Sequence, residues 1–501
     1  MNRKIISSKT DNNFSAINSN KNNLDETNVG EINLDLDTWV SRNKYYYQDI
    51  YNLHHFLVTP TSNILEIGCG TGDLLAYLQP QVGVGIDYSQ QIIQCAKNKH
   101  PHLNFYCSEF EDIYPNLLVE LQLSQLQFDF IIISGNLSSI SDIQIVLNLL
   151  QSFCQPHTRI ILTFHNFLWQ PILNFAEKIN QRRPQLAQNW LSMNDVINLL
   201  SITGYESVKI GRRFLIPKKI PIVSNFINRY ISQLPIINHL NLTNYIVARP
   251  TWFKNNKQIE DYSISVIIPA RNEAGNITSA ITRLPKLGQK TEVIFIEGHS
   301  KDDTWQQIQE TVNKYQGNLI LKSFQQTGKG KGDAVRLGFQ HATGDILIIL
   351  DADLTVQPEE LIKFVDVIAK NYGEFINGSR LIYPYSYQAM PWLNTIANKF
   401  FALLFSFLLG QNIKDTLCGT KVISRKNYLR IAENRSYFGN FDPFGDFDLL
   451  FGAAKLNLHI VEVPVRYQAR TYGQSNIAHF REGLVLLQMC LHAARKIKFI
   501  P

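Results

Sequence analysis

Between residues 346 and 355 the chain reads ILIILDADLT: five consecutive apolar residues, Ile346 to Leu350, run straight into two carboxylates one residue apart, Asp351 and Asp353. An unbroken apolar run of this kind is a strand covered on both faces, the situation of a sheet with helices packed above and below it. The chain must therefore build an α/β layer here, and it must compensate two carboxylates at the layer's edge, because a buried uncompensated charge is costly. A divalent cation held between the pair and a diphosphate would do so. The competing reading is a solvated acidic turn, since a lone Asp-x-Asp is common by chance.

The same alternation of short β-branched runs and helix-like segments extends along the chain. NILEIGCG, VGVGID, FDFIIIS and RIILTF come first, then ISVIIPA, EVIFIEG and DILIILDAD. This predicts two α/β halves with mostly parallel sheets, and 501 residues are too many for one core at roughly 100 to 200 residues per domain. No motif recurs between the halves, so they are not copies of each other. We expect a disordered Asn, Ser and Lys-rich tail over 1–36, a first domain over 37–250, a polar linker over 251–262 and a second domain over 263–501. The net charge of +6 is only mildly basic and does not demand a nucleic acid partner. Six cysteines without zinc or Cys-x-x-Cys spacing, and no secretory apolar run before them, fit a reducing cytosol.

In NILEIGCGTGDLLAYL the glycines Gly68, Gly70 and Gly72 fall between a strand and a helix, where they let the backbone turn sharply against a ligand. A second strand, VGVGID, ends at Asp87, about 20 residues beyond Glu66, where a carboxylate can accept both hydroxyls of a ribose. With these residues in this order, the first half resembles the class I S-adenosylmethionine-dependent methyltransferases, a Rossmann-like fold. The resemblance implies that Glu66 and the Gly68 to Gly72 backbone hold the methionine portion, Asp87 the ribose, and Glu109 and Phe110 the adenine. Methyl transfer depends chiefly on orientation, so the acceptor site is hard to read. His165, after RIILTF, is either a general base or a packed strand-end histidine. The stretch 212–240 mixes Arg212, Arg213, Lys218, Lys219 and Arg229 with Ile, Leu and Phe, and suits a helix on an anionic lipid surface, a lid over a lipidic acceptor or an ordinary helical subdomain.

The second half surrounds the Asp351 and Asp353 pair with VIIPARNEAGNI, VIFIEGHSKDDT, TGKGKGDAVRLGF, NGSR, DTLCGTK and EVPVRYQARTYGQS. Lys331, in the glycine-rich segment, can approach a phosphate, but no Ser or Thr follows the lysine as a P-loop requires. In this order the motifs resemble the inverting family 2 glycosyltransferases of GT-A fold, particularly the dolichyl-phosphate mannose and glucose synthases. The resemblance implies that Pro269, Arg271, Glu273 and Glu297 cradle the nucleoside of a UDP- or GDP-sugar. It implies too that Asp351 and Asp353 hold Mg²⁺ or Mn²⁺ against its diphosphate, and that Arg380 and Arg470 neutralise phosphate charge. Asp353, Asp415 and Arg470 are the catalytic candidates; Asp415 would either take a proton from an acceptor hydroxyl or order its loop. Glu297 with Gly298, Thr355 and Asn476 depart from the family pattern, which leaves the donor open.

These readings combine into a two-headed transferase, with a methyltransferase joined to a metal-dependent glycosyltransferase acting on a polyprenyl phosphate or glycan. We expect cytoplasmic placement, with peripheral contact at the cytoplasmic face of a membrane. The apolar run FFALLFSFLLG, 400–410, is about half of the roughly 20 residues a spanning helix needs. It therefore reads as a surface-docking or core helix. The alternatives are a glycosyltransferase carrying a non-catalytic scaffold and, below that, a nucleic-acid methyltransferase, which lacks its base-flipping motif after FDFIII.

Overall fold

The computed structural model describes residues 36–110, 127–183, 189–253, 258–384, 392–437, 445–473 and 479–500. The expected tail, apart from Leu36, and Asn476 lie outside them. The chain forms two compact units: residues 1–154, 161–192 and 214–225 make the first, and 155–160, 193–213 and 226–501 the second.

Seven strands form the first sheet: β1 (Asn63–Ile67), β2 (Val82–Asp87), β3 (Asn104–Cys107), β4 (Phe130–Ser134), β5 (Arg159–His165), β6 (Tyr205–Arg213) and β7 (Thr243–Pro250). Their order is β3-β2-β1-β4-β5-β7-β6. β1 pairs parallel with β2 and β4, and β2 with β3, as strands buried on both faces should. β6 returns antiparallel to β7. The direction of strand addition reverses between β1 and β4, and the crevice outside the carboxyl ends at such a reversal is where an open α/β sheet admits a ligand. Helix α1 (Lys44–Leu57) precedes β1, and α2 (Asp73–Leu78) follows its glycine turn.

The second sheet contains β8 (Ser263–Ala270), β9 (Lys290–Glu297), β10 (Ile320–Gln325), β11 (Ile346–Ile349), β12 (Phe375–Ser379), β13 (Lys421–Ser424) and β14 (Ile460–Pro464). Its order is β10-β9-β8-β11-β13-β12-β14. β8 lies parallel between β9 and β11, so the reversal here falls between β8 and β11. β13 runs antiparallel to both β11 and β12 in a sheet whose other pairings are parallel, as a mostly parallel sheet allows. Its four residues are too short a run for periodicity to give a direction. Every residue of β11 is buried, and Leu350 continues it by donating its amide to Ile267 O at 3.0 Å. Burial of about 1.5 to 3 kcal/mol per large apolar side chain fixes the strand against β8 and Phe364. It thereby fixes where the next residue, Asp351, must emerge.

Two helices of this unit bear on its site: α3 (Lys331–His341) and α4 (Trp392–Leu409). FFALLFSFLLG is the second half of α4, whose 18 residues are long and apolar enough to cross a membrane by length and composition alone. That corrects the half-span expected from the apolar run. Asn398, Phe401, Phe405 and Leu408 face inward, while Leu393, Ile396, Phe400 and Leu403 are exposed on the opposite stripe. In the 212–240 stretch, β6 continues to Arg213 and a short helix spans Val223–Arg229, with the exposed Ile222 and Ile236 at its flanks.

Candidate active sites

At the end of β1 the backbone turns through Gly68 (φ +73) and Gly70 (φ +52). A Cβ on Gly68 would collide with the Asn136 amide, which donates to Gly68 O at 2.7 Å, so the loop from β4 sits directly on the turn. Asp87, at the end of β2, is buried and accepts from Gly70 N at 3.0 Å and Ser89 N at 3.1 Å. One amide on each oxygen orients the carboxylate and leaves lone pairs for two hydroxyls. Glu66 is buried, and its Oε2 has no hydrogen-bond partner. Burial, then the neighbouring Asp87 and Asp73, push its carboxyl well above the usual range. A carboxylate so placed suits a ligand that brings a cation, as the ammonium and sulfonium of S-adenosylmethionine would. Phe110 is buried edge-on to Tyr88, with ring centroids 5.9 Å apart, whereas Glu109 is exposed. An open cleft of about 590 Å³ is lined by Asp73, the residue after Gly72, with Asp37, Lys44, Tyr47, Tyr51 and Tyr77. His165 Nε2 lies 3.2 Å from the Tyr46 hydroxyl, and burial with nearby Arg182 holds the imidazole down to about 3, hence neutral at physiological pH.

The second site stands at the carboxyl ends of β8, β9 and β11. Asp351 and Asp353 emerge from β11 onto cations: Lys331 Nζ is 2.6 Å from Asp351 Oδ1, and Arg470 Nη2 is 2.8 Å from Asp353 Oδ2. Arg470 also reaches Glu273 Oε1 at 2.8 Å, and so links the segment after β14 to the loop after β8. Burial raises the Glu273 carboxyl, although Arg470 opposes it. Burial alone would raise Asp351 as well, but Lys331, then Lys421 and Arg380, outweigh it and leave this carboxyl below its usual range. Thr355 donates both its amide and its hydroxyl to Asp353 Oδ1, at 3.1 and 2.9 Å. Both aspartates keep part of their surface open, and two hard carboxylate oxygens suit Mg²⁺ or Mn²⁺ when diphosphate and water complete the shell. Among the described residues no cluster of three His, Cys, Asp or Glu side chains could hold a metal unaided.

Arg380 and Asp415, which the sequence presents as separate candidates, are partners. Asp415 is fully buried and accepts from Arg380 N, Nε and Nη2, from Asn398 Nδ2 of α4, and from Leu417 N. Burial works against the charge, yet Arg380 and these donors hold the carboxyl down to about 2. A carboxylate this well satisfied is a poor proton acceptor. The Arg380 guanidinium also lies 5.1 Å from the Tyr467 ring centroid.

The structure thus pairs Lys331 with Asp351, and Arg470 with both Glu273 and Asp353. Pro269 stands in register with Ile296 near the end of β8, and Arg271 is exposed just beyond. Glu297 is buried and spends its oxygens on Ser300 N and Gln325 Nε2, at 2.5 and 3.1 Å. Sequence reasoning missed Gly419, where any Cβ would strike the Asp351 carboxylate and Lys331, and it missed the buried Lys421 that helps depress Asp351. Both lie in the quoted DTLCGTK, where the glycine was the available signal; the burial of Lys421 shows only once β13 is placed. Asn398, within an apolar helix, gave none.

Comparison with known proteins finds a likeness in each half. Residues 265–431 match the family model for glycosyl transferase family 2, and residues 65–160 match that of a methyltransferase domain. Over 242 residues the chain is 28% identical to a dolichol-phosphate mannosyltransferase of Pyrococcus furiosus, a match covering 47% of this chain and 64% of that protein, a little under two thirds of its length. It is 29% identical over 236 residues to a dolichyl-phosphate beta-glucosyltransferase of Saccharomyces cerevisiae, covering 42% of this chain and 67% of the other. A solved SAM-dependent methyltransferase of Thermotoga maritima, a possible histamine N-methyltransferase, is 15% identical with a TM-score of 0.32, covering 43% of this chain and 94% of that one. A stretch matching a methyltransferase domain is therefore followed along the chain by one matching glycosyl transferase family 2.

Replacing Asp87 with Ala should weaken S-adenosylmethionine binding by about 1 to 3 kcal/mol in a calorimetric titration. Replacing Asp415 with Asn leaves the Arg380 charge buried without its counter-ion and should cost about 3 to 5 kcal/mol in urea unfolding. Because the folded Asp415 carboxyl sits near 2, below its ordinary 3.8, its contribution is complete above the unfolded value and lost as pH falls through the folded one. The gap between wild type and Asp415→Asn should accordingly narrow as pH falls between those two values.

Proposed function

We propose that the chain is a bifunctional transferase. Its second domain transfers a sugar, with inversion, from a nucleoside-diphosphate sugar to a polyprenyl phosphate, and its first transfers a methyl group from S-adenosylmethionine. The observation that carries the glycosyl reading is the Asp351 and Asp353 pair at the carboxyl end of a doubly buried strand, within reach of Lys331 and Arg470. A dication bound by the two aspartates would supply charge neutralisation to the departing diphosphate. Around it, Lys331 and Arg470 are placed to take phosphate oxygens, and Glu273 and Glu297 border the nucleoside side of the crevice. An acceptor attacks the anomeric carbon from the opposite face. The commitment of Asp415 to Arg380 argues against a hydroxyl acceptor, which needs a base, and for a phosphate, which is already anionic. The dolichyl-phosphate enzymes among the relatives agree with this choice.

Helix α4 supports a lipid-linked acceptor. One face binds Asp415 through Asn398, and the other exposes Leu393, Ile396, Phe400 and Leu403, a surface suited to a prenyl chain or to the cytoplasmic face of a membrane. In the first domain, the orphaned Glu66 oxygen and the oriented Asp87 favour a working cofactor site over a scaffold. His165, packed against Tyr46, could then only act as a base in its neutral form.

The test is a pair of assays on one protein. Asp353→Ala should lower sugar transfer into a lipid fraction by at least about a hundredfold while leaving methyl transfer intact, and chelation of wild type should mimic it. Wild-type sugar transfer that survives exhaustive chelation would refute the metal-dependent reading. Absence of any S-adenosylmethionine binding heat would favour the scaffold.

A further inference from the structure

Lys331 and Arg470 stand on the very oxygens through which Asp351 and Asp353 would ligate a dication. Lys331 opens helix α3, where the helix dipole disfavours a positive charge and the Asp351 carboxylate 2.6 Å away offsets it. Arg470 spans Glu273 and Asp353 with its two terminal nitrogens. The strand-like segment that carries it is fixed independently: Tyr467 bridges Val356, and Gln468 N donates to Thr355 O at 2.9 Å. The chain is thus anchored two residues before Arg470, whose guanidinium can change partners by side-chain rotation.

Resting on the glycosyltransferase reading, we infer that Lys331 and Arg470 are exchangeable counter-ions that make metal and nucleotide bind as a pair. A dication arriving alone must push two cations off the aspartates and leave them beside its own charge. A diphosphate arriving alone must approach Glu273, Asp351 and Asp353, whose negative charge the two cations already balance in part. When both arrive, the metal takes the aspartates and the diphosphate takes the displaced lysine and arginine, so every charge is compensated. Each ligand then raises the affinity of the other by the same factor.

The experiment uses the full chain. Free Mn²⁺ is followed by electron paramagnetic resonance without nucleotide, with UDP and with GDP, and the nucleotides are titrated by calorimetry with and without Mn²⁺. The accepted nucleotide should tighten Mn²⁺ binding by about tenfold or more, and Mn²⁺ should tighten nucleotide binding equally. Arg470→Gln and Lys331→Gln should each bind Mn²⁺ alone about threefold or more tightly than wild type and bind nucleotide more weakly, with reduced coupling. Opposite signs for the two ligands separate this exchange from simple damage to the site, which would weaken both. Equal Mn²⁺ affinity with and without bound nucleotide in wild type, or weaker Mn²⁺ binding in both variants, overturns the exchange and leaves the glycosyltransferase reading standing. A wild type that binds neither nucleotide, with or without Mn²⁺, overturns that reading and this one together.

Discussion

A carboxylate at the end of a strand buried on both faces must be met by positive charge, and the second domain is organised around that requirement. β11 is held by apolar packing against β8, so the place where Asp351 emerges is fixed, and its half-buried carboxylate is met there by cations. The cations that answer it come from widely separated stretches: Lys331 from the start of α3, Lys421 from β13, and Arg380 from the end of β12. Arg470 answers Asp353 from beyond β14. One electrostatic demand thus ties four parts of the sheet to one point in the crevice.

The same principle operates once more behind that point, with a different outcome. Asp415 and Arg380 satisfy each other so fully that neither is in a position to exchange protons, and Glu462 extends the network by accepting the Asp415 amide at 3.0 Å. The paired charges at the crevice keep part of their surface open, whereas Asp415 behind it is fully buried. Exposure, more than the identity of the residues, separates groups that can hand themselves to a ligand from groups that only hold the wall.

Both folds were legible because their signals are local. A glycine turn between a strand and a helix, an acid at the end of the next strand, and an apolar run ending in Asp-x-Asp each declare themselves within a dozen residues. What stayed hidden depends on distant partners. Nothing in NGSR or DTLCGTK says that Arg380 and Asp415 meet, and Lys421 reads as an ordinary charged residue until β13 inserts it between β11 and β12. The direction of β13 was equally hidden, since four residues carry no periodicity that distinguishes parallel from antiparallel. In helix α4 only the apolar run 400–410 was weighed as a membrane segment, because Trp392 to Lys399 is polar in places, and one of those polar residues, Asn398, is buried and bonded to Asp415.

That asparagine gives α4 a mechanical meaning. Its amide is fastened to the Asp415 carboxylate at 2.8 Å, and within one helical turn on either side Ile396 and Phe400 point outward. The helix is a strut with one end of its grip in the wall of the crevice and its bearing surface outside. Whatever leans on that outer stripe hard enough to roll the helix must also pull on the clamp that holds Arg380, so a load applied at the protein's greasy exterior is felt at its ionic interior without any intervening linkage.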